Sequence, residues 1–108
     1  MNQQRFRVYY EDTDAGGVVF YANYLKFIER GRTEYLRELG FEQSIQAKEK
    51  NLVFVVKSLS ADYLSPAFLD DMIEVQTSIK LIKNASLIFA QKILNLEKNT
   101  VLFNAEVK

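Results

Sequence analysis

An acidic turn near the N-terminus contains the residues best suited to chemistry. It reads Glu11-Asp12-Thr13-Asp14-Ala15-Gly16-Gly17, and its paired glycines can adopt positive φ angles. A long helix is predicted to begin a few residues later, and a helix N-terminus offers unpaired N–H groups at the positive end of its dipole. Such groups can stabilise the oxyanion that forms on a carbonyl oxygen, while Asp14 attacks the carbonyl carbon or activates a water molecule. Asp14 is therefore the leading catalytic candidate, although an aspartate in an acidic turn more often serves only the turn itself.

The composition narrows the possible chemistry, because the sequence contains neither Cys nor His. A Cys nucleophile, a Ser-His-Asp triad and a His general base are all excluded within this chain. A thioester suits the remaining carboxylate chemistry, since its carbonyl is more electrophilic than that of an ester and a thiolate leaves readily. Glu11, Asp12 and Asp14 do not have the spacing of a calcium loop, and all-carboxylate zinc sites are uncommon. We therefore predict a reaction that uses neither a metal ion nor a cofactor.

Length and charge set further limits. The chain has 108 residues, enough for one domain, and we predict that residues 1–108 form it. Lys and Arg together number 14, as do Asp and Glu, and no basic cluster is longer than a pair, so nucleic-acid binding is not expected. The N-terminus lacks the apolar run of a signal peptide, no disulfide favours secretion, and the apolar stretches are too short to cross a bilayer. We predict a cytoplasmic protein without a transmembrane segment.

One long helix is predicted from Tyr24 to Leu39, because its apolar residues follow helical spacing. Asn23 is the expected N-cap, and Gly40 stands where a glycine commonly ends a helix. Gly31 falls on or near the apolar stripe, where a glycine is less favourable than alanine by about 1 kcal/mol. Its presence predicts that the helix backbone packs closely against a neighbour.

The remaining sequence is predicted to form strands in an α+β fold. Alternating and apolar segments predict five strands, at Arg5–Tyr10, Leu52–Tyr63, Met72–Ile82, Ser86–Asn95 and Val101–Val107. Turns at 83–85 and 97–99 suggest that the last four strands form a meander. A short second helix is possible between Glu42 and Lys50. One helix against an antiparallel sheet leaves free strand edges, which favour pairing with a second copy.

Two segments of the sequence resemble a known family. The run from Tyr9 to Arg30, YYEDTDAGGVVFYANYLKFIER, is similar to the signature of the 4-hydroxybenzoyl-CoA thioesterase superfamily, and most similar to the acyl-CoA thioesterases associated with the bacterial Tol-Pal system. The run from Val55 to Ala67, VVKSLSADYLSPA, also resembles that subfamily. The resemblance covers nearly the whole chain. It implies a hotdog fold, in which one long helix is wrapped by a five-stranded antiparallel sheet, and a homodimer or homotetramer with active sites between subunits.

The same resemblance implies roles for individual residues and an acyl-CoA substrate. Asp14 matches the catalytic carboxylate of the family, and the backbone N–H that stabilises the oxyanion falls at about Tyr21. Further contacts with the substrate are predicted at five positions: Gly17, Val18, Asn23, Lys57 and Ser58. The simpler interpretations are that Asn23 caps the helix, that Lys57 is solvated and that Tyr21 is a core aromatic.

Acyl-CoA thioester hydrolysis is therefore the first hypothesis for the function. Hotdog dehydratases rely on a catalytic His, so a dehydratase is excluded, whereas a non-catalytic acyl-thioester-binding or scaffold protein remains the alternative. Two departures from the family pattern bear on this choice. Many Tol-Pal-associated members have His where this chain has Tyr21, so a different rate of hydrolysis is expected. The chain also ends at Lys108, part-way along the expected last strand, so a weakened sheet is expected.

Overall fold

The computed structural model describes residues 1–42, 48, 54–83 and 86–108. It contains the long helix and the five strands that the sequence predicts. These elements are β1 (Asn2–Arg7), α1 (Asn23–Glu38), β2 (Leu59–Tyr63), β3 (Met72–Lys83), β4 (Ser86–Asn95) and β5 (Thr100–Val107), with a 3-10 turn at Tyr10–Asp12. The helix predicted between Glu42 and Lys50 falls almost entirely outside the described residues, as does most of the turn at 83–85. None of the helices in the described ranges combines the length and the apolar character needed to cross a bilayer.

The five strands form one antiparallel sheet in the order β1-β3-β4-β5-β2. The predicted meander is confirmed for β3, β4 and β5, which are neighbours in sequence and in the sheet. It is wrong for β2, which pairs with β5 at the far edge instead of with β3. The reason is that β1 already occupies the outer edge of β3, where Asn2 lies opposite Thr77, so β2 takes the edge of β5.

Of the strand predicted from Leu52 to Tyr63, Leu52 and Val53 lie outside the described residues, and within the described part the strand begins only at Leu59. Just before β2, the Lys57 N–H donates to the carbonyl oxygen of Lys108 at 2.8 Å. Residues 54–56 have no neighbouring strand in the described part of the chain. Backbone that lacks a ladder partner does not form regular strand.

Two further strand predictions need correction at their ends. β1 begins earlier than expected and ends at Arg7, because the 3-10 turn takes the chain off the sheet before Tyr10. In β3 the alternation predicts that Leu81 lies on the buried face, yet its side chain is 41% exposed. The exposure is not confined to one face, since Lys80, Ile82 and Lys83 are exposed as well, so this end of β3 lies outside the core of the chain.

The helix packs on the sheet through a stripe of buried residues that includes Phe27 and Ile28. Both belong to one core cluster with Val75 and Ile93 of the central strands, and burial of each such side chain stabilises the fold by about 1.5–3 kcal/mol. Gly31 makes the closest approach, since a Cβ atom placed there would lie 2.7 Å from Cγ1 of Val75. The predicted close packing of the helix backbone is thus confirmed.

A buried polar network lies under the middle of α1. The Nε2 group of Gln91 donates to the carbonyl oxygen of Ile28 at 2.8 Å and to Oγ1 of Thr77 at 2.9 Å. Its Oε1 atom accepts a hydrogen bond from Arg32 at 3.0 Å, and burial lowers the pKa of that guanidinium from its ordinary value. Because each polar atom of the Gln91 amide has a partner, the network fixes the helix on the sheet without leaving an unpaired group there.

The C-terminus of α1 ends as predicted. Gly40 has a φ angle of 95°, which a residue with a side chain rarely adopts. The Gly40 N–H donates to Arg37 and the Phe41 N–H donates to Leu36, at 3.0 and 2.7 Å. These two bonds form a Schellman motif that satisfies the last carbonyl groups of the helix.

Candidate active site

The acidic turn is a compact loop held by its own backbone. The N–H of Asp14 donates to the carbonyl oxygen of Val18 at 2.9 Å, and the N–H of Gly17 donates to the carbonyl oxygen of Asp14 at 3.0 Å. Gly17 has a φ angle of 81°, and no atom lies near the position that a Cβ would occupy. A glycine is therefore favoured here by the backbone conformation and not by close packing. A bridge between Thr13 and Val19 closes the base of the loop. The predicted turn is confirmed.

The carboxylate of Asp14 is exposed at the start of this loop. Its Oδ1 atom accepts a hydrogen bond from the Gly16 N–H at 2.8 Å, so the side chain does stabilise the turn. Its Oδ2 atom has no donor among the described residues. The local role and the chemical role are therefore compatible, because one oxygen holds the carboxylate in place and the other is available to a substrate or a water molecule.

Asp12 connects the loop to the start of the helix. Its Oδ2 atom accepts a hydrogen bond from the Tyr9 N–H at 2.9 Å, within the 3-10 turn. Its carbonyl oxygen accepts from the Phe20 N–H at 3.0 Å and from the side-chain Nδ2 of Asn23 at 2.9 Å. These two bonds tie the loop that contains Asp14 to the first residue of α1.

The prediction that Asn23 is the N-cap is wrong. Ala22 is the N-cap residue and Asn23 is the first residue of the helix, where it binds Asp12 instead of a helix N–H. Because Ala22 has no side-chain acceptor, the first turn of α1 lacks a side-chain cap. The backbone N–H groups of Tyr21 and Ala22 have no acceptor within the described residues. Two consecutive donors are thus available at the positive end of the helix dipole.

The side chain of Tyr21 is 64% exposed, so it is not part of the core of one chain. Its ring lies 4.8 Å from that of Phe20, and its carbonyl oxygen accepts a hydrogen bond from the Tyr63 hydroxyl at 2.8 Å. Burial and the neighbouring Tyr21 raise the pKa of Tyr63 from its ordinary value, so the hydroxyl is protonated near neutral pH. No role was predicted for Tyr63, although it lies in the second segment that resembles the family.

The segment between β2 and β3 forms backbone hydrogen bonds with residues at the end of the loop. Val18 forms a bridge with Phe68, and the N–H of Val19 donates to the carbonyl oxygen of Ala67 at 2.8 Å. The hydroxyl of Tyr24 accepts a hydrogen bond from the Ala67 N–H at 3.0 Å, and burial raises the pKa of that phenol. Val18 is half-buried by these contacts, whereas Gly17 beside it is exposed.

Lys57 and Ser58 do not join the other predicted residues within one chain. Both are exposed, and their backbones bond to Lys108 at the opposite end of β2 from Tyr63. Lys57 precedes Tyr63 by roughly 20 Å of extended chain, at about 3.3 Å per residue. The structure therefore brings Asp14, Gly17, Val18, Tyr21 and Asn23 into one loop and helix start, and leaves Lys57 and Ser58 apart from them.

Two concave regions of the single chain lie away from Asp14. One, of about 380 Å³, lies over the sheet and is lined by polar side chains that include Gln76, Lys92 and Asn104. The other, of about 300 Å³, lies between β1 and α1, beside Asp12 and Arg30. Asp14 lines neither of them. Within the described ranges, no group of three carboxylates is close enough to hold a metal ion.

Comparisons with known proteins agree with this architecture. A family model described as the thioesterase superfamily matches residues 16–102. The acyl-CoA thioester hydrolase YbgC of Escherichia coli O6:H1 is 52% identical over 101 residues, which cover 94% of this chain and 74% of that protein. The acyl-CoA thioesterase YbgC of Haemophilus influenzae is 50% identical, with 91% and 70% covered.

A solved structure shows the same fold. The crystal structure of a probable thioesterase from Bartonella henselae matches this chain with a TM-score of 0.91 at 37% identity, covering 97% of this chain and 86% of that one. The predicted hotdog fold and the predicted enzyme class are thereby confirmed. This chain belongs to the thioesterase superfamily.

Proposed function

We propose that this protein hydrolyses acyl-CoA thioesters, with Asp14 as the nucleophile or general base and the N–H groups of Tyr21 and Ala22 as oxyanion donors. The observation that carries the proposal is that one carboxylate oxygen of Asp14 and two N–H groups have no partner among the described residues, and that hydrogen bonds through Asp12 connect the loop and the helix start on which they lie. The curated relatives at 52% and 50% identity, whose names specify acyl-CoA, support this substrate class.

Two routes to hydrolysis use these groups together with water. With Asp14 as a general base, the carboxylate takes a proton from water as the water oxygen bonds to the thioester carbon. With Asp14 as a nucleophile, the carboxylate oxygen itself bonds to that carbon, and water later cleaves the resulting anhydride. In both routes the carbonyl oxygen becomes an oxyanion that accepts hydrogen bonds from the helix start. The C–S bond then breaks, and CoA leaves as a thiolate that takes up a proton.

We further propose that the site is completed by a second copy of the chain. β2 is an open edge of the sheet, and Leu59, Tyr63 and the following Leu64 are exposed apolar residues along it. If two β2 strands pair antiparallel about a twofold axis near Ala61, Leu59 of one copy lies opposite Tyr63 of the other. The segment with Lys57 of the second copy then reaches the helix start of the first.

Substitution of Asp14 by Asn tests the proposed chemistry. The amide oxygen of Asn can still accept the hydrogen bond from Gly16, so the turn should survive while the negative charge is lost. General-base assistance typically contributes about 10²–10⁴-fold, so turnover of acyl-CoA should fall about a hundredfold or more. Free-thiol detection over a panel of acyl-CoAs measures this, and circular dichroism checks the fold.

Asp12→Asn is the matched control, because it changes a carboxylate two residues away whose Oδ2 atom accepts a hydrogen bond from the Tyr9 N–H. Its effect on turnover should be much smaller. Equal losses from the two substitutions would assign the chemistry to the wrong carboxylate. A wild-type protein that binds acyl-CoA without hydrolysing any member of the panel would favour a binding or scaffold function instead.

Two further measurements test the chemical role of Asp14 and the assembly of the protein. Mass spectrometry of a rapidly quenched single turnover should detect an acyl adduct on Asp14 if this residue is the nucleophile, and no adduct if it is a general base. Light scattering should show a dimer or tetramer, and Leu59→Lys, which places a charge on the β2 edge, should weaken assembly and turnover together. A monomer with full turnover would contradict the shared site.

A further inference from the structure

A hydrogen bond from β2 reaches the peptide group that begins the helix. The Tyr63 hydroxyl donates to the carbonyl oxygen of Tyr21 at 2.8 Å. That carbonyl and the Ala22 N–H belong to one planar peptide group, in which they point in opposite directions. We propose that Tyr63 is a positioning residue, which fixes the direction of the Ala22 N–H so that this donor meets the oxyanion. This inference rests on the proposed function.

The start of α1 needs such a support because it lacks the usual one. An N-cap side chain normally orders the first turn by accepting a helix N–H, and Ala22 has no group that can do so. The backbone before it is held on one side by Asp12, which accepts the Phe20 N–H at 3.0 Å. The hydrogen bond from Tyr63 to the Tyr21 carbonyl oxygen fixes the backbone on the other side of the same turn. Fixed donors assist a reaction more than mobile ones, because no reorganisation is required when charge develops.

The ring of Tyr63 is itself held in place by its neighbours. It meets Phe103 of β5 edge-on at 5.0 Å between ring centres and Tyr24 of α1 edge-on at 5.3 Å. Tyr63 lies opposite Phe103 in the register of β2 and β5, so the sheet sets the position from which its hydroxyl reaches Tyr21. The accepted hydrogen bond also polarises the peptide group, which makes the Ala22 N–H a stronger donor.

Tyr63→Phe tests the proposal, because it removes the hydroxyl and keeps the ring that packs on Phe103. We expect kcat to fall about fivefold to tenfold while KM changes little. This factor corresponds to the free energy that one hydrogen bond of ordinary strength contributes to the transition state. The melting temperature should change little as well. Tyr24→Phe is the matched control from the same aromatic cluster, since its hydroxyl contacts Ala67 and not the helix start. It should alter stability more than kcat.

A spectroscopic measurement separates positioning from a general structural role. In an Asp14→Asn background an acyl-CoA with an isotope-labelled thioester carbonyl should remain bound, and its infrared stretching frequency reports the strength of the donors on its oxygen. Adding Tyr63→Phe should raise that frequency toward its value in water, whereas adding Tyr24→Phe should not.

The outcomes distinguish this inference from the proposed function. Full turnover in Asp14→Asn would refute the catalytic role of Asp14 in the proposed function, and an absence of hydrolysis by the wild-type protein would refute the proposed activity itself. A strong loss in Asp14→Asn with unchanged kcat in Tyr63→Phe would refute the role of Tyr63 alone. The positioning role would also be overturned if kcat fell in Tyr63→Phe while the carbonyl frequency stayed unchanged. It would be overturned as well if the fall in kcat only matched a decrease in the amount of folded protein.

Discussion

The close approach of α1 to the sheet at Gly31 predicts that Gly31→Ala destabilises the protein, against the ordinary preference of helices. Considered alone, the helix should favour alanine at this position by about 1 kcal/mol. A Cβ atom there, however, would lie 2.7 Å from Cγ1 of Val75 and 2.9 Å from Oγ1 of Thr77. Both neighbours are completely buried side chains of the interior strand β3, so neither can turn away into solvent.

The size of the effect follows from these contacts. Overpacking a core by one methyl group commonly costs about 1–3 kcal/mol, because side chains and backbone must shift. The shift also strains the hydrogen bonds of Gln91 to Thr77 and Ile28, each of which contributes about 1 kcal/mol. After subtracting the gain in helix propensity, we expect a net loss of about 1–3 kcal/mol in the free energy of unfolding.

Urea unfolding followed by circular dichroism measures this loss, with every variant at the same protein concentration because assembly alters apparent stability. Val75→Ala provides the internal control, since it removes the methyl group that a new Cβ would meet. Gly31→Ala should therefore be less destabilising, or even stabilising, when Val75→Ala is also present. If Gly31→Ala by itself raised stability by about 1 kcal/mol, helix propensity alone would decide the outcome and the packing argument would be refuted.

Two further predictions concern the end of the helix and the buried phenol. Gly40→Ala should lower the free energy of unfolding by about 1–2 kcal/mol in the same assay, because the φ angle of Gly40 is 95°. Steric contact is not the cause, since no atom lies within 4 Å of its Cβ position. Burial raises the pKa of Tyr24 above its ordinary value of 10.0, so the neutral phenol stabilises the folded state at lower pH, and this contribution is lost as pH rises through the folded-state pKa. Melting temperatures measured from about pH 9 to about pH 11 should therefore decline, and the decline should be smaller in Tyr24→Phe.

The features predicted correctly from sequence are those that short segments determine. Gly40 ends α1 because a left-handed residue is needed one position after the helix, and Gly31 signals close packing because nothing local explains a glycine there. The acidic turn forms through hydrogen bonds among residues 14–18, so its glycines were sufficient to identify it. In each case the physical cause lies within a few residues of the signal.

The features predicted wrongly depend on partners far away in the chain. The place of β2 is decided by which strand edges remain open, and residue spacing within β2 contains no information about that choice. Asn23 has the chemistry of an N-cap, yet Asp12 offers it a carbonyl oxygen eleven residues away and Ala22 becomes the cap. Tyr63 was missed for the same reason, because only the pairing of β2 with β5 brings its hydroxyl to Tyr21.

The position of Tyr63 connects the proposed chemistry to the proposed assembly. Tyr63 is the last residue of β2, and β2 is the open edge through which we propose that a second copy binds. In this proposal, one strand orders the helix start of its own chain and brings Lys57 to the site of the other. The loop with Asp14 needs neither contact to fold, because its own hydrogen bonds hold it. We infer that the carboxylate is positioned locally, whereas the proposed donors and the proposed substrate contacts depend on the correct placement of β2.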